Sequence, residues 1–281
     1  MLVQRRGYGH VEPKPQCPLT LLLLLGKGQR ALLRECLWSV YHAWGELPGV
    51  KLVSDGSLSD AELLELTDWW PGKIQAEQWQ VSAEAHGARG RLLLRDFARK
   101  NIFGKKLSAV LASGEAGPTM YCDTDILWFA GPPPLPADSG ISGAIVKTAA
   151  DYRRSYDEEL VKRAGMTALE ARPWYNAGIS YVRGPVYEVC GIEKLLEIIG
   201  TDDDYFSEQT IMAYCCRMLG DAHWTGEEIA LNLDDMYWPL RPLYLRRDWY
   251  ARHYVGEVRH WFWRDALWMR RHGAPARVRR S

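Results

Sequence analysis

The sequence predicts an α/β domain: a doubly wound sheet with helices on both faces. Three observations carry that expectation. Residues 20–25 are apolar almost throughout, the composition of a strand buried on both faces. Strand-like and helix-like segments then alternate, as they do around a parallel sheet with right-handed crossovers. Finally, two carboxylates, Asp123 and Asp125, stand just past another apolar run, at the kind of strand end where open α/β sheets bind ligands.

The elements follow in order. Residues 1–18 are polar and proline-rich and read as an irregular lead-in. After the first strand, Gly26 and Gly28 mark a turn. Leu32, Leu33, Cys36, Leu37, Val40 and Tyr41 recur at helical spacing, so a helix is expected over 31–44. A second strand is expected at 50–53, then the turn Ser54-Asp55-Gly56-Ser57. Either Ser59 or Asp60 can cap a helix running to about residue 67. Residues 91–101 look helical, 107–111 and 119–122 are apolar stretches, and strands are expected at 141–146 and 179–182. Helices are expected at 186–199 and 208–219, and 252–263 shows no clean period.

The 281 residues are 47% apolar and 25% charged, enough to bury one large core. Lys plus Arg and Asp plus Glu both number 35, so the basic surplus of a general nucleic-acid binder is missing. The six cysteines form no C-x-x-C pair and read as free thiols. The run 21–25 is too short to span a bilayer and lacks signal-peptide flanks. A cytoplasmic location is the expectation. Arg270, Arg271, Arg277, Arg279 and Arg280 form a basic tail over 270–281. Such a tail is either a solvated terminus or a peripheral contact with anionic lipid. Thirteen Trp against five Phe supply flat faces that stack on sugar rings, although most Trp belong in a core.

Chemistry concentrates at Met120-Tyr121-Cys122-Asp123-Thr124-Asp125-Ile126-Leu127-Trp128-Phe129. Alone, an acidic triplet is common and reads as a solvated turn. Here the apolar flanks reverse that reading, because two acids within such a run are costly to bury unpaired. In extended chain, positions i and i+2 face one side, so both carboxylates can meet one divalent cation.

This segment resembles the D-x-D strand end of the GT-A glycosyltransferases. Further landmarks occur in order. Asp55-Gly56-Ser57 resembles the D-G-S turn that meets the nucleoside. Tyr175-Asn176-Ala177-Gly178-Ile179 is similar to the asparagine–small–glycine strand of retaining members, and Glu208-Gln209 to the acid–glutamine pair near the sugar. The segment from His253 to Trp261 resembles the late H-x-x-G-x-x-K-P-W segment of the glycogenin and lipopolysaccharide galactosyltransferase group. Arg259 replaces its lysine, His260 its proline, and Glu208 stands for the usual Asp.

The resemblance implies one GT-A domain over 19–269, a Rossmann-like mixed sheet flanked by helices. It implies a metal-dependent enzyme that transfers a sugar from a nucleotide-diphosphate donor, a UDP-sugar by preference, with retention, to a saccharide, lipid-linked or protein acceptor. Asp123, Asp125 and His253 are the expected ligands of Mn²⁺ (or Mg²⁺); outside the resemblance, His253 reads equally as a structural histidine. Asp55, Asp123, Gly256, Arg259 and Lys106 are assigned to the donor. An adjacent Lys105–Lys106 pair otherwise reads as solvated. Asn176, Gln209 and Glu208 are assigned to the reaction centre, against strand-edge or cap roles. Two other readings remain: a sugar-phosphate nucleotidyltransferase and a non-catalytic protein of the same fold.

Overall fold

The computed structural model describes residues 11–136, 140–202, 204–234, 236, 242, 245 and 247–273. Residues 1–10 of the lead-in lie outside that set, as do Arg277, Arg279 and Arg280.

The chain runs β1 (Gln16–Leu25), α1 (Arg30–Ala43), β2 (Leu47–Ser54), α2 (Asp60–Leu66), β3 (Ile74–Gln78), α3 (Trp79–Ala88), α4 (Leu92–Lys100) and α5 (Ile102–Ala116). It continues through β4 (Thr119–Cys122), β5 (Ile126–Trp128), β6 (Ile145–Asp151), α6 (Glu158–Arg163), β7 (Trp174–Arg183), α7 (Val186–Val189) and α8 (Ile192–Ile199). It ends with α9 (Ser207–Met218), β8 (His223–Trp224), β9 (Ile229–Ala230), β10 (Ala251–His253) and α10 (Trp261–His272). A seven-stranded sheet has the order β3-β2-β1-β4-β7-β6-β8, and a three-stranded sheet the order β5-β10-β9. β3, β2, β1 and β4 pair in parallel, whereas β7 is antiparallel to both β4 and β6. The sheet is therefore mixed, flanked by helices on both faces.

Strand alternation distributes β1 between the two faces. Leu22 and Leu24 join the core beneath α4, α5, α8 and α9, while Leu21, Leu23 and Leu25 join the core beneath α1 and α2. A third cluster packs α10 against β5 through Leu127, Phe129, Tyr254, Phe262 and Met269. Trp44, Trp128, Trp224 and Trp249 are fully buried. Ser59, not Asp60, caps α2: its Oγ accepts from the Glu62 N–H, and Glu62 accepts from the Ser59 N–H in return.

Several boundaries differ from the sequence expectation. β1 begins at Gln16, inside the stretch read as a lead-in. The strand expected at 141–146 starts instead at Ile145 and runs to Asp151, because 140–144 form a turn. The helix expected at 186–199 is two, interrupted at Gly191, whose φ of 61° is left-handed. Residues 107–111 belong to α5, which is buried nearly all round and so shows no period. All six cysteines are free. No helix among the described residues is long and apolar enough to cross a membrane. Arg270, expected in a tail, lies on the last turn of α10 and pairs through two nitrogens with Glu35.

Candidate active site

The parallel strands β1, β2 and β4 end on one edge of the sheet, and the site is built there. The Asp123 N–H donates to the Gly178 carbonyl of β7 at 2.8 Å. The chain then turns through Thr124 and Asp125, so a turn, rather than extended alternation, brings the two carboxylates together. β5 starts at Ile126 and pairs antiparallel with β10, setting Ile126 opposite His253. The Tyr254 N–H donates to the Asp125 carbonyl at 3.0 Å. This register places His253 Nε2 3.2 Å from Asp125 Oδ1 and 3.6 Å from Asp123 Oδ2. One ligand atom from each of the three residues lies within 4.8 Å of the others. Two carboxylate oxygens and one imidazole nitrogen form a donor set that suits Mn²⁺ better than Ca²⁺, so the residues fit the expected cation.

Asn176 fixes the direction in which His253 faces. Its Oδ1 accepts from the Gly178 N–H at 2.8 Å and lies 3.1 Å from His253 Nδ1. That oxygen can only accept, so Nδ1 carries the proton and Nε2 is turned to the carboxylates. Burial alone lowers the His253 pKa, but Asp125 and Asp123 outweigh it and the net shift is upward. Burial likewise raises Asp125, and His253 and Arg259 together overcome it, leaving that carboxyl below its ordinary value. Gly178 is required at its position, because a Cβ there would overlap the His253 ring.

The amides of Asn176 and Gln209, expected on the sugar, are directed at protein groups. Asn176 Nδ2 donates to Asp151 Oδ2 at 3.2 Å and to Gln209 Oε1 at 3.4 Å, and Gln209 Nε2 donates to the Ser155 carbonyl at 2.7 Å. Asp151, at the end of β6, was not singled out by the sequence; the strand expected at 141–146 stopped short of it. Burial raises its pKa.

Lys106 and Lys105 are not a solvated pair. Lys106 is buried on α5, with Nζ 3.3 Å from Glu208 Oε2, 3.8 Å from Asp123 Oδ1 and over the Tyr121 ring. Lys105 donates to the Asp55 carbonyl at 2.6 Å and lies over Trp79. Glu208 is 3% exposed and does not cap α9, whose N-cap position is Phe206. Burial pushes its pKa up to about 7 against the pull of Lys106, with Asp123 adding to the rise. The same carboxylates hold Lys106 above its ordinary value in spite of burial. Glu208 Oε1 is buried with no hydrogen-bond partner among the described residues. Tyr121 donates to Asp123 Oδ1 at 2.5 Å.

Asp55 stands past β2 on the same edge. Its N–H donates to the Leu25 carbonyl and its Oδ1 accepts from the Ser57 N–H. A Cβ on Gly26 would collide with its carboxylate, which explains a glycine there. Gly256, at φ 49°, opens a single 3-10 turn that leads into Arg259. Arg259 Nη2 reaches Asp125 Oδ2 at 2.7 Å, although the side chain is 64% exposed.

Neither a protein-family model nor a curated protein matches this sequence. Solved structures do. Mouse xyloside xylosyltransferase 1 superposes with a TM-score of 0.56 at 12% identity, over 85% of this chain and 98% of that one. The galactosyltransferase LgtC, in complex with donor and acceptor sugar analogues, gives 0.54 at 15% identity, over 88% and 95%. The glycosyltransferase GlyE of Streptococcus pneumoniae gives 0.53 at 10% identity, over 91% and 61%. The shared feature at these identities is the course of the backbone, and by that course this chain has the GT-A fold of the glycosyltransferases.

Proposed function

We propose that the chain is a metal-dependent glycosyltransferase that takes a sugar from a nucleoside-diphosphate donor, a UDP-sugar by preference, with retention. The observation that carries the reading is the convergence of Asp123, Asp125 and His253 on one point, with Asn176 turning the free imidazole nitrogen toward it. These three side chains would hold Mn²⁺ or Mg²⁺, which supplies charge neutralisation for the departing diphosphate. Arg259 presents a planar fork beside the same point and can take a phosphate oxygen in two bonds. Asp55, past the end of β2, is assigned to the nucleoside, and Gly256, whose positive φ opens the turn before Arg259, to the diphosphate.

Lys106 and Glu208 border the sugar side. The partnerless Glu208 Oε1 suits a donor hydroxyl, and the Lys106 ammonium keeps the carboxylate beside it in place. Gln209 and Asn176 are poor bases, and the Glu208 carboxylate, the candidate base for inversion, is paired with Lys106; this is in keeping with retention, in which the departing diphosphate oxygen receives the acceptor proton. Asn176 then acts by holding Asp151 and His253 in position, and Gln209 by holding Asn176.

The segment after β1 supports a transferase over a nucleotidyltransferase: Lys27–Gln29 form one 3-10 turn, not a long glycine-rich phosphate loop. A non-catalytic role is disfavoured because Lys106 and Glu208 are buried together, an arrangement with a desolvation cost that packing alone does not need. The test is a thermal-shift screen of nucleotide-sugars with and without Mn²⁺, followed by donor hydrolysis. Asp125→Asn should abolish the Mn²⁺-dependent shift and lower turnover about a hundredfold or more, with folding retained. A folded Asp125→Asn protein with full activity would overturn the assignment.

A further inference from the structure

Phe103, Tyr205 and Phe206 form an aromatic cluster outside the site, with the two Phe half-buried and Tyr205 exposed. Phe103 lies on α5 three residues before Lys106, on the same helix face. Tyr205 stands three residues before Glu208. The Phe103 and Tyr205 rings meet edge-on with centroids 4.5 Å apart, and Phe206 meets Tyr205 at 5.0 Å. Tyr205 is 67% exposed and Ile102 beside Phe103 is 38% exposed. The ledge is held by the two segments that carry the buried Lys106–Glu208 pair, and Lys100 ties its loop to α4 by donating to the Gly200 carbonyl at 2.8 Å. It therefore adjoins the segments that carry that pair.

We propose that this ledge is the acceptor platform, and that the acceptor is a saccharide that lays the C–H face of a pyranose ring on Tyr205. The inference rests on the transferase reading and names its substrate class. An exposed aromatic face suits the apolar face of a sugar ring. Its rim carries the exposed carboxylates Asp202 and Asp204, which are hydrogen-bond acceptors for ring hydroxyls. The same carboxylates would repel an anionic lipid surface, so the chemistry favours a neutral saccharide.

Saturation-transfer NMR with a panel of methyl pyranosides, in the presence of UDP and Mg²⁺, tests it. Wild-type protein should saturate the C–H protons of one pyranoside face. Tyr205→Ala and Phe103→Ala should each weaken pyranoside binding about five- to tenfold, and Tyr205→Phe should preserve it, with UDP binding unchanged in all three. Full pyranoside affinity in Tyr205→Ala, or a wild-type protein that binds UDP but no pyranoside, overturns the platform alone. Loss of UDP binding in step with pyranoside binding makes the ledge structural and also overturns it. A wild-type protein that binds no nucleotide overturns the transferase reading and the platform with it.

Discussion

Asn176 spends its single oxygen on two donors, the Gly178 N–H and the His253 Nδ1–H. Groups that orient a metal-binding imidazole tune its affinity for the ion about ten- to hundredfold. Asn176→Ala should therefore weaken Mn²⁺ binding by that factor in calorimetric titration, and Asn176→Asp, which retains an accepting oxygen, should recover part of it. Equal affinity in all three proteins would separate Asn176 from the metal site. The acid pair was legible in the sequence because two carboxylates inside an apolar run have few structural uses. The task of Asn176 was not legible, because its partner lies 77 positions away and nothing local says which way an amide turns. Lys106 was assigned to the donor by resemblance, but its burial was hidden for the same reason: beside Lys105 it looks solvated, and only packing of α5 on the sheet buries it against Glu208.

The joint between α3, α4, α5 and α7 is built on a neutral histidine. His86 Nε2 donates to the Ser108 carbonyl at 3.0 Å, leaving Nδ1 to accept from Arg91 Nη1 at 2.9 Å. Arg91 in turn pairs with Glu115 at 2.6 Å and Glu188 at 2.5 Å. Burial, aided by Arg91 and Arg89, draws the His86 pKa below its ordinary 6.5 despite the opposing pull of Ser108 and Glu115. The unfolded chain then takes up the proton first as the pH falls. Its contribution is complete above the unfolded value and declines as pH drops from there toward the folded one. Melting temperature should fall less between about pH 7.5 and about pH 5.5 in His86→Gln than in the native protein; parallel curves would contradict the neutral assignment. Regular elements with one clean face, such as α1, were readable from their period. β3 was missed because an edge strand that is half-exposed along its length carries little alternation, and residues 186–199 read as one helix rather than two because a single glycine gives no sign of its φ.

Across the whole molecule, the alternation of strands and helices implied parallel strands, and the mixed sheet with its antiparallel β7 was anticipated only through the likeness of the landmarks to the GT-A enzymes. The small β5-β10-β9 sheet escaped, because its strands have two or three residues each and gain their identity only by pairing. That pairing has a further consequence. Arg259 and Asp125 touch although they are 134 positions apart, and the proposed ligand set likewise joins the turn after β4 to β10. An ion seated there closes a very long loop, so it acts on the chain as a removable cross-link, and the entropy of closing such a loop grows only slowly with its length. Opening of the C-terminal part should then be controlled by the ion. In limited trypsin digestion followed by mass spectrometry, the fragment that begins after Arg259 should be released more slowly with Mn²⁺ than with EDTA. Equal rates would mean that the two ends of the loop are held by strand pairing alone.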